Sequence, residues 1–492
     1  MADIYRHGTG NVIYLGEETD QSTGVAEAVD YVHREGASVV GDLRASDYAV
    51  MLEVHNLHLK ALKDLFSRDW FSRSWIVQEV TVSKMNTVLL GSTSFSLEKV
   101  LSVGHTLASG IVGDLDGGPV SKYIDNVTRL TQLQTDCTSM YRPGPSDEHV
   151  APEGMMSLAV YATRSQELSD PRDRIYSVLG LFHWSRNVIP PLLVPDYSKP
   201  VRNVHRDAAR YLLTQPSLNL VTLQHIRHEE AASSTQTTTT DLPSWVPDWS
   251  RLDWRPSPSG LALISRFAAH GGTRVSVLPA SDPADDPDVL ELLGLPLDTI
   301  TSAGEVFQPQ DFVPGEDATK TIRLLCDIIS YTGINPTAAH GMWQLARFLI
   351  TGWAGLKWSR SETLERLSLY MTHILQTHRH PPELTHAPRK LAKATPLEQA
   401  AELQLSVAKA WTGSRLFATS KGGVGAVSFL AQAGDILVIF YGGQVPHVIR
   451  PVGLYSKYQR YICPAYVHGI MDGEAMCHHL AAGEPGYPFF LR

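Results

Sequence analysis

The sequence predicts a mixed α/β fold of α+β arrangement: an incomplete N-terminal α/β region, a helical middle, and a C-terminal small β-sheet or barrel carrying a helical insertion. Three observations predict it. The apolar run "NVIYLG" is followed by long stretches with a helical period. The segment "RLFATSKGGVGAVSFLAQAGDILVIFYGGQVPHVIRPVG" alternates β-formers with glycine-rich turns. Residues 318–412 return to helix. At 492 residues the chain exceeds what one core holds, since cores stop growing near roughly 250–300 residues. The expected division is therefore 1–135, 136–272 and 273–492, with the insertion at 318–412.

In chain order, "MADIYRHGTGNVIYLG" holds a helix end, a turn at Gly8 to Gly10 and a strand from Val12 to Leu15 stopped by Gly16. A strand this early, entered from half a helix, reads as the middle of a domain. "VAEAVDYVHREG" predicts a helix ending at Gly36, and Val50, Leu52, Val54, Leu57, Leu59, Leu62 and Leu65 line a second one. After "RDWFSRSWIVQEV", the stretch "MNTVLLGSTSFSLEKVLSVG" predicts strand, turn and helix, with Ser94 or Ser96 as N-cap. Prolines and glycines make 137–155 a loop, and "DPRDRIYSVLGLF" restarts a helix with Asp170 as cap and Pro171 in its first turn. Residues 228–243 are a polar, low-complexity surface loop. "RVSVLP" and "VLELLGLPLDTI" are short strands, expected to join the strands after 412 in one sheet across the insertion.

Composition narrows the classes of function. Hydrophobic residues at 43% and charged residues at 19% describe a globular chain. A net charge of -9, a pI near 6.1 and no concentrated Lys/Arg face argue against nucleic-acid binding, which needs such a face to displace counterions. Cys137, Cys326, Cys463 and Cys477 form no CxxC pair, so neither a disulfide framework nor a zinc knuckle is expected. No run of about 18 apolar residues and no leader-like start occur, so a cytoplasmic protein without a membrane span is the expectation.

Individual motifs carry little chemistry alone. No spacing of acids, histidines or cysteines matches a metal motif, and "KGGVGAV" lacks the GK[ST] ending and the following helix of a phosphate loop. It reads as a hairpin turn, and no metal or cofactor is expected. Cys477, His478 and His479 are neighbours in sequence whose side chains diverge, which disfavours a nucleophile pair. Arg172, Asp173 and Arg174 open a helix and either lock a loop through charge-assisted bonds or contact an anion, the lock being favoured. In "SWVPDWS", Asp248 between Trp245 and Trp249 is placed to accept an indole N–H. "YVHGIMDGE" gathers Tyr466, His468, Asp472 and Glu474, either an acid–base cluster around a histidine or an ordinary hairpin corner.

Together the blocks "IYRHGTGNVIYLGEE", "WFSRSWIVQEV", "DPRDRIYSVLGL", "PDYSKPVRNVHRDAARYLL", "SWVPDWS", "AGDILVIFYGGQVPHVIRPVG" and "YVHGIMDGE" resemble the fungal heterokaryon incompatibility (HET) domain family in order and spacing. The resemblance implies a TIR-like signalling fold and a role in growth arrest and cell death when incompatible fungal cells fuse, exercised through protein partners. It also implies that Trp70, Arg73, Trp75, Gln78 and Glu79 close the HET domain. The "SYxWG"-like strand and the "IDAICINQ"-like segment that usually come first do not occur in this sequence, so the expectation is either a sequence that begins late or a shortened relative.

HET-like proteins of secondary metabolism supply the expectation that follows. The chain is read first as a cofactor-independent cyclase of the Diels–Alder (pericyclase) type, folding a terpenoid or polyketide small-molecule substrate in an apolar cavity and polarising a carbonyl. Its expected catalytic donors are Arg174, Tyr176, Tyr466 and His468, and its expected substrate-binding residues are Trp70, Arg73, Trp75, Trp245 and Trp249. The alternative is an incompatibility or cell-death signalling factor working through protein partners.

Overall fold

The computed structural model describes residues 2–42, 56–108, 156–157, 159–160, 162–164, 166–182, 189–214, 220–226, 228, 242–250, 267–276, 286–312, 319–350, 358–377, 396–453 and 455–492. The expected loop at 137–155, nearly all of 228–243, Cys137, and Val50, Leu52 and Val54 lie outside them. Among the described residues, twelve α-helices and two sheets make a mixed α/β protein. The chain divides into two compact units, residues 1–208 with 249–254, and residues 209–248 with 255–492.

The first unit begins with α1 (Ala2–His7) and β1 (Asn11–Tyr14), as the sequence predicts. Helix α2 (Val25–Asp42) runs past Gly36 instead of stopping there, because an interior glycine costs a helix only about 1 kcal/mol. Its buried Val29 and Val32 share the interior with Leu62 and Leu65 of α3 (Asn56–Phe66). After α4 (Ile76–Thr81) the chain makes two strands, β2 (Asn86–Leu90) and β3 (Thr93–Ser96), where the sequence announced one. β3 is short and serine-rich, and only its antiparallel register on β2, with Phe95 buried opposite Val88, makes it a strand. β1 pairs parallel with β2, giving the order β1-β2-β3. Ser96 Oγ then accepts the Lys99 N–H at 3.3 Å and opens α5 (Leu97–Ala108), one of the two expected caps. Helices α6 (Asp173–Leu179) and α7 (Val201–Leu213) follow.

The second unit is a closed barrel. Its strands are β4 (Leu290–Ala303), β5 (Ser414–Thr419), β6 (Val424–Ser428), β7 (Ile436–Phe440), β8 (His447–Pro451), β9 (Tyr458–Val467) and β10 (Tyr487–Leu491). Neighbours run β4-β5-β6-β9-β8-β7, and β7 returns to β4, with β10 laid across β4 and β9. The 14-residue β4 closes the ring because it changes partners: Gly294–Thr299 pair with β7 and Ile300–Ala303 with β5. Pro296 sits in it without a ladder N–H, next to a register shift at Asp298. "VLELLGLPLDTI" thus joins the strands after 412 across the insertion, as expected, whereas residues 274–276 of "RVSVLP" form no strand and 277–279 lie outside the described residues. That insertion is α8 (Thr319–Thr332), α9 (Ala339–Leu349), α10 (Arg360–Thr377) and α11 (Pro396–Trp411), which share a core with Val424, Ala426 and Tyr466 of the barrel. "KGGVGAV" is the β5–β6 hairpin, with Gly422 at φ +84°. "YVHGIMDGE" is no hairpin corner: it leaves β9 and enters α12 (Glu474–Ala481) through Gly473 at φ +99°.

Ile300, Phe417, Val427, Leu437, Val448 and Ile462 fill the barrel interior, as expected for a ring this small. Buried Asp435 and half-buried Arg450, at the two ends of the β7–β8 hairpin, meet as an ion pair at 2.7 Å and 3.0 Å. His447 is fully buried; its Nδ1 lies 3.2 Å from the Tyr461 hydroxyl, and its Nε2 has no partner among the described residues. Burial lowers its pKa to about 3. The unfolded chain takes up this proton near pH 6.5 while the folded one refuses it, so the associated stability is complete above pH 6.5 and is lost as pH falls toward 3. His447→Gln, which keeps a partner for Tyr461, should flatten the loss of urea stability between pH 6.5 and 4.5 by up to about 1.4 kcal/mol per pH unit relative to the parent.

Candidate functional site

The blocks around Trp75 and Arg172, a hundred residues apart in sequence, fold into one polar junction. Two turns create it. The carboxylate of Asp170 accepts the Arg172 backbone N–H at 2.9 Å and also its guanidinium at 2.7 Å and 2.9 Å. That hydrogen bond from Arg172 holds the Asp170 carboxyl below its ordinary pKa. Arg172 continues to the carbonyls of Lys199, at 3.0 Å, and Tyr197, and its guanidinium lies over the Tyr197 ring. Asp173, the first residue of α6, then accepts the Trp75 indole N–H at 3.0 Å and the Tyr197 hydroxyl at 2.5 Å. Burial, followed by that bond to Asp173, pushes the Tyr197 phenol well up.

Beneath this layer α4 and α6 are fastened together. Gln78 donates to the carbonyls of Ser177 at 2.6 Å and Tyr176 at 3.2 Å. Gly180 follows directly, and a Cβ there would stand 2.6 Å from Ala2 Cβ and from Gln78 Oε1, so only glycine lets α1 and α4 approach. Arg174 is almost wholly buried and donates to the carbonyls of Trp249 at 3.2 Å, Gln166 at 2.9 Å and Thr163. Burial alone lowers its pKa to about 10, which leaves it charged at neutral pH. The lock favoured for "DPRDR" is thus realised in hydrogen bonds.

A partly open cleft of about 660 Å³ adjoins the junction, lined by Arg6, His7, Trp75, Gln78, Tyr176 and Tyr197 among others. Most polar groups at its wall already have partners. The Tyr176 hydroxyl donates to the Asp196 carbonyl at 3.1 Å and accepts its N–H at 3.0 Å, and Arg6 binds Asp3 and the Gly180 carbonyl. Of the other residues singled out in this block, Trp70 is buried edge-on to Phe71, and Arg73 is exposed, its backbone bridged to Glu167. Trp249 is buried with its ring edge-on to His205.

Tyr466, His468 and Trp245 belong to the second unit. Tyr466 is buried against Phe348 and Phe267, and its phenol is pushed up by that burial. His468 is half-buried and held below its ordinary pKa by burial and then by Arg347. Sequence reasoning missed Arg347: it arrives from α9, grips Asp472 with both nitrogens at 3.1 Å, and covers the Phe267 ring. Its only sequence signal was a cation in the last turn of a helix. Trp245 donates its indole N–H to the Asp288 carbonyl at 2.8 Å, not to Asp248, and Arg210 stacks on its ring. A carbonyl from the strand entry reached the buried indole where a neighbouring carboxylate was expected. A second groove, of about 310 Å³, lies between α8 and the β4–β5 edge.

Among the described residues, no helix is long and apolar enough to cross a membrane, and no group of three His, Cys, Asp or Glu side chains is placed to hold a metal ion.

A sheet with flanking helices ending in the tryptophan–arginine block, and a small closed barrel with a helical insertion, define the class. Residues 1–79 match the model of the heterokaryon incompatibility protein (HET) family, ending on Glu79, and residues 390–481 match that of the Het-6 β-barrel domain. Heterokaryon incompatibility protein 6, OR allele, of Neurospora crassa is 23% identical over 550 aligned positions, covering 96% of this chain and 78% of that protein. The chain is thus similar to the HET family over its N-terminal 79 residues and to the Het-6 barrel over residues 390–481. No solved structure matches it.

Two positions, Arg174 and Gly180, test the junction. Arg174→Met should lower unfolding free energy by about 3 kcal/mol, read from urea midpoints, because three buried carbonyls lose their donor, and Arg174→Lys should recover only part of that. Gly180→Ala should cost about 1–3 kcal/mol. Adding Ala2→Gly should relieve part of that cost in a double-mutant cycle.

Proposed function

We propose that this protein is a heterokaryon incompatibility factor, which arrests growth and triggers cell death when unlike fungal cells fuse, and which acts through protein partners. The observation that carries this reading is the joint match to the HET and Het-6 barrel models on a chain that aligns over 96% of its length with an incompatibility protein. None of the similarities points to a cyclase, a small-molecule substrate or secondary metabolism. The geometry agrees: the candidate donors Arg174 and Tyr176 already spend their protons on backbone carbonyls, and a carbonyl-polarising catalyst needs a donor aimed at open space.

Within this reading, residues 1–135 carry the signal, 136–272 connect, and the barrel region 273–492 presents the surface that distinguishes partners. Trp70, Arg73, Trp75 and Trp249 serve as supports of the signalling region, and Trp245, Tyr466 and His468 as supports of the barrel. The cytoplasm, where fused cells mix their contents, is the proposed site of action.

Regulated expression in strains of a filamentous fungus tests the proposal. Induction should stop colony growth and vacuolate cells in strains of one genetic type and spare others, and Arg174→Met should abolish the arrest. Healthy growth in every strain, together with a new cyclised metabolite, would reverse the choice between the two readings.

A further inference from the structure

Among the described residues, β1 has a partner strand on one side only. In a parallel pair, alternate residues turn their N–H and C=O groups to the same neighbour. Asn11 and Leu15 donate to Met85 and Leu89 carbonyls, both at 2.8 Å, which leaves the polar groups of Val12 and Tyr14 facing away from β2. Among the described residues no strand pairs with that side. The flanking side chains are apolar and exposed: Val12 is 64% and Tyr14 55% accessible, and Met85, 66% accessible, lies against Gly10. Natural proteins blunt such edges with lysine, proline or a bulge, and the strand "NVIY" has none of these.

Charge identifies the occupant. The exposed His7 and Lys84 flank the start of β1, where Asp3 is already paired with Arg6, and the exposed Glu17 and Asp20 follow its end, while Glu18 is turned toward Thr93. An antiparallel copy of the same edge, related by a twofold axis through Ile13, lays each basic entrance beside the other's acidic exit. It also sets Val12 opposite Tyr14 of the second copy, as a pair exchanging both of its N–H···O=C bonds, with a β-branched side chain beside an aromatic one on one face. We infer that β1 is a self-association edge, through which two copies of this chain merge their three-stranded sheets into one. The contact is small, so association is weak and depends on concentration.

Sedimentation velocity of the full chain over roughly 1–100 μM should show a reversible monomer–dimer equilibrium. Val12→Pro removes an outward N–H without touching the β2 ladder, and Tyr14→Lys places like charges on the edge. Each should weaken the dimer by about tenfold or more, while circular dichroism and Tm confirm a folded protein. Lys84→Glu should weaken it too, and adding Glu17→Lys should restore it. A chain monomeric at every concentration, a dimer indifferent to Val12→Pro and Tyr14→Lys, or a charge swap that fails to restore association would each overturn the inference.

Discussion

Carbonyl groups stranded where the backbone is neither helix nor strand must find donors inside the protein, and here long arginine side chains supply them. Arg6 serves Gly180, Arg68 serves Glu17, and Arg172 serves Lys199. Arg174 serves Gln166 and Trp249, Arg210 serves Pro287 and Val289, and Arg450 serves Leu430. A guanidinium offers five donors in a fixed plane, so one side chain holds two or three segments that share no secondary structure. Where the braced carbonyls are buried, as those of Gln166 and Trp249 are, losing the donor would cost about 1–3 kcal/mol each.

This constraint explains why the polar blocks look like active sites in sequence. Dense arginine, tryptophan and glutamine suggest chemistry because catalytic sites also concentrate donors, yet a donor already bound to a carbonyl has nothing left to polarise. Gln78 illustrates the difference: its amide ends at Ser177 and Tyr176, at the end of α6, where helical carbonyls lack partners of their own. The block "WFSRSWIVQEV", read in isolation, leaves catalyst, knot and motif end all open. Placed against "DPRDRIYSVLG", it is a fastening that joins α4 to α6 and closes the HET match.

Local signals were legible and distant ones were not. The helix–turn–strand start, the Ser96 cap, the Gly422 hairpin and the strands after 412 follow from propensity and turn chemistry within a few residues, and the structure has them. β3 escaped because its residues are weak strand formers whose pairing with β2 is decided by Phe95 and Val88 together. Arg347 escaped because 125 residues separate it from Asp472, and nothing in either segment names the other. The indole of Trp245 found a carbonyl at Asp288 for the same reason: burial fixes the need for an acceptor, and only the folded chain decides which one is near.

The helical insertion shows how far this dependence reaches. Although it interrupts the barrel in sequence between β4 and β5, it is no appendage. Trp411 ends α11 immediately before β5, donates its indole N–H to the Leu349 carbonyl at 2.7 Å, stacks on Phe348 and meets Phe307 edge-on. Phe348 in turn packs against Tyr466 of β9 and His468. The insertion and the outer barrel wall therefore share one core, while the ring's own interior is filled from within by Phe417, Ile462 and their neighbours. Part of the ring's outside is thus buried under helices, and among the described residues a groove stays open beside α8, against β4 and β5.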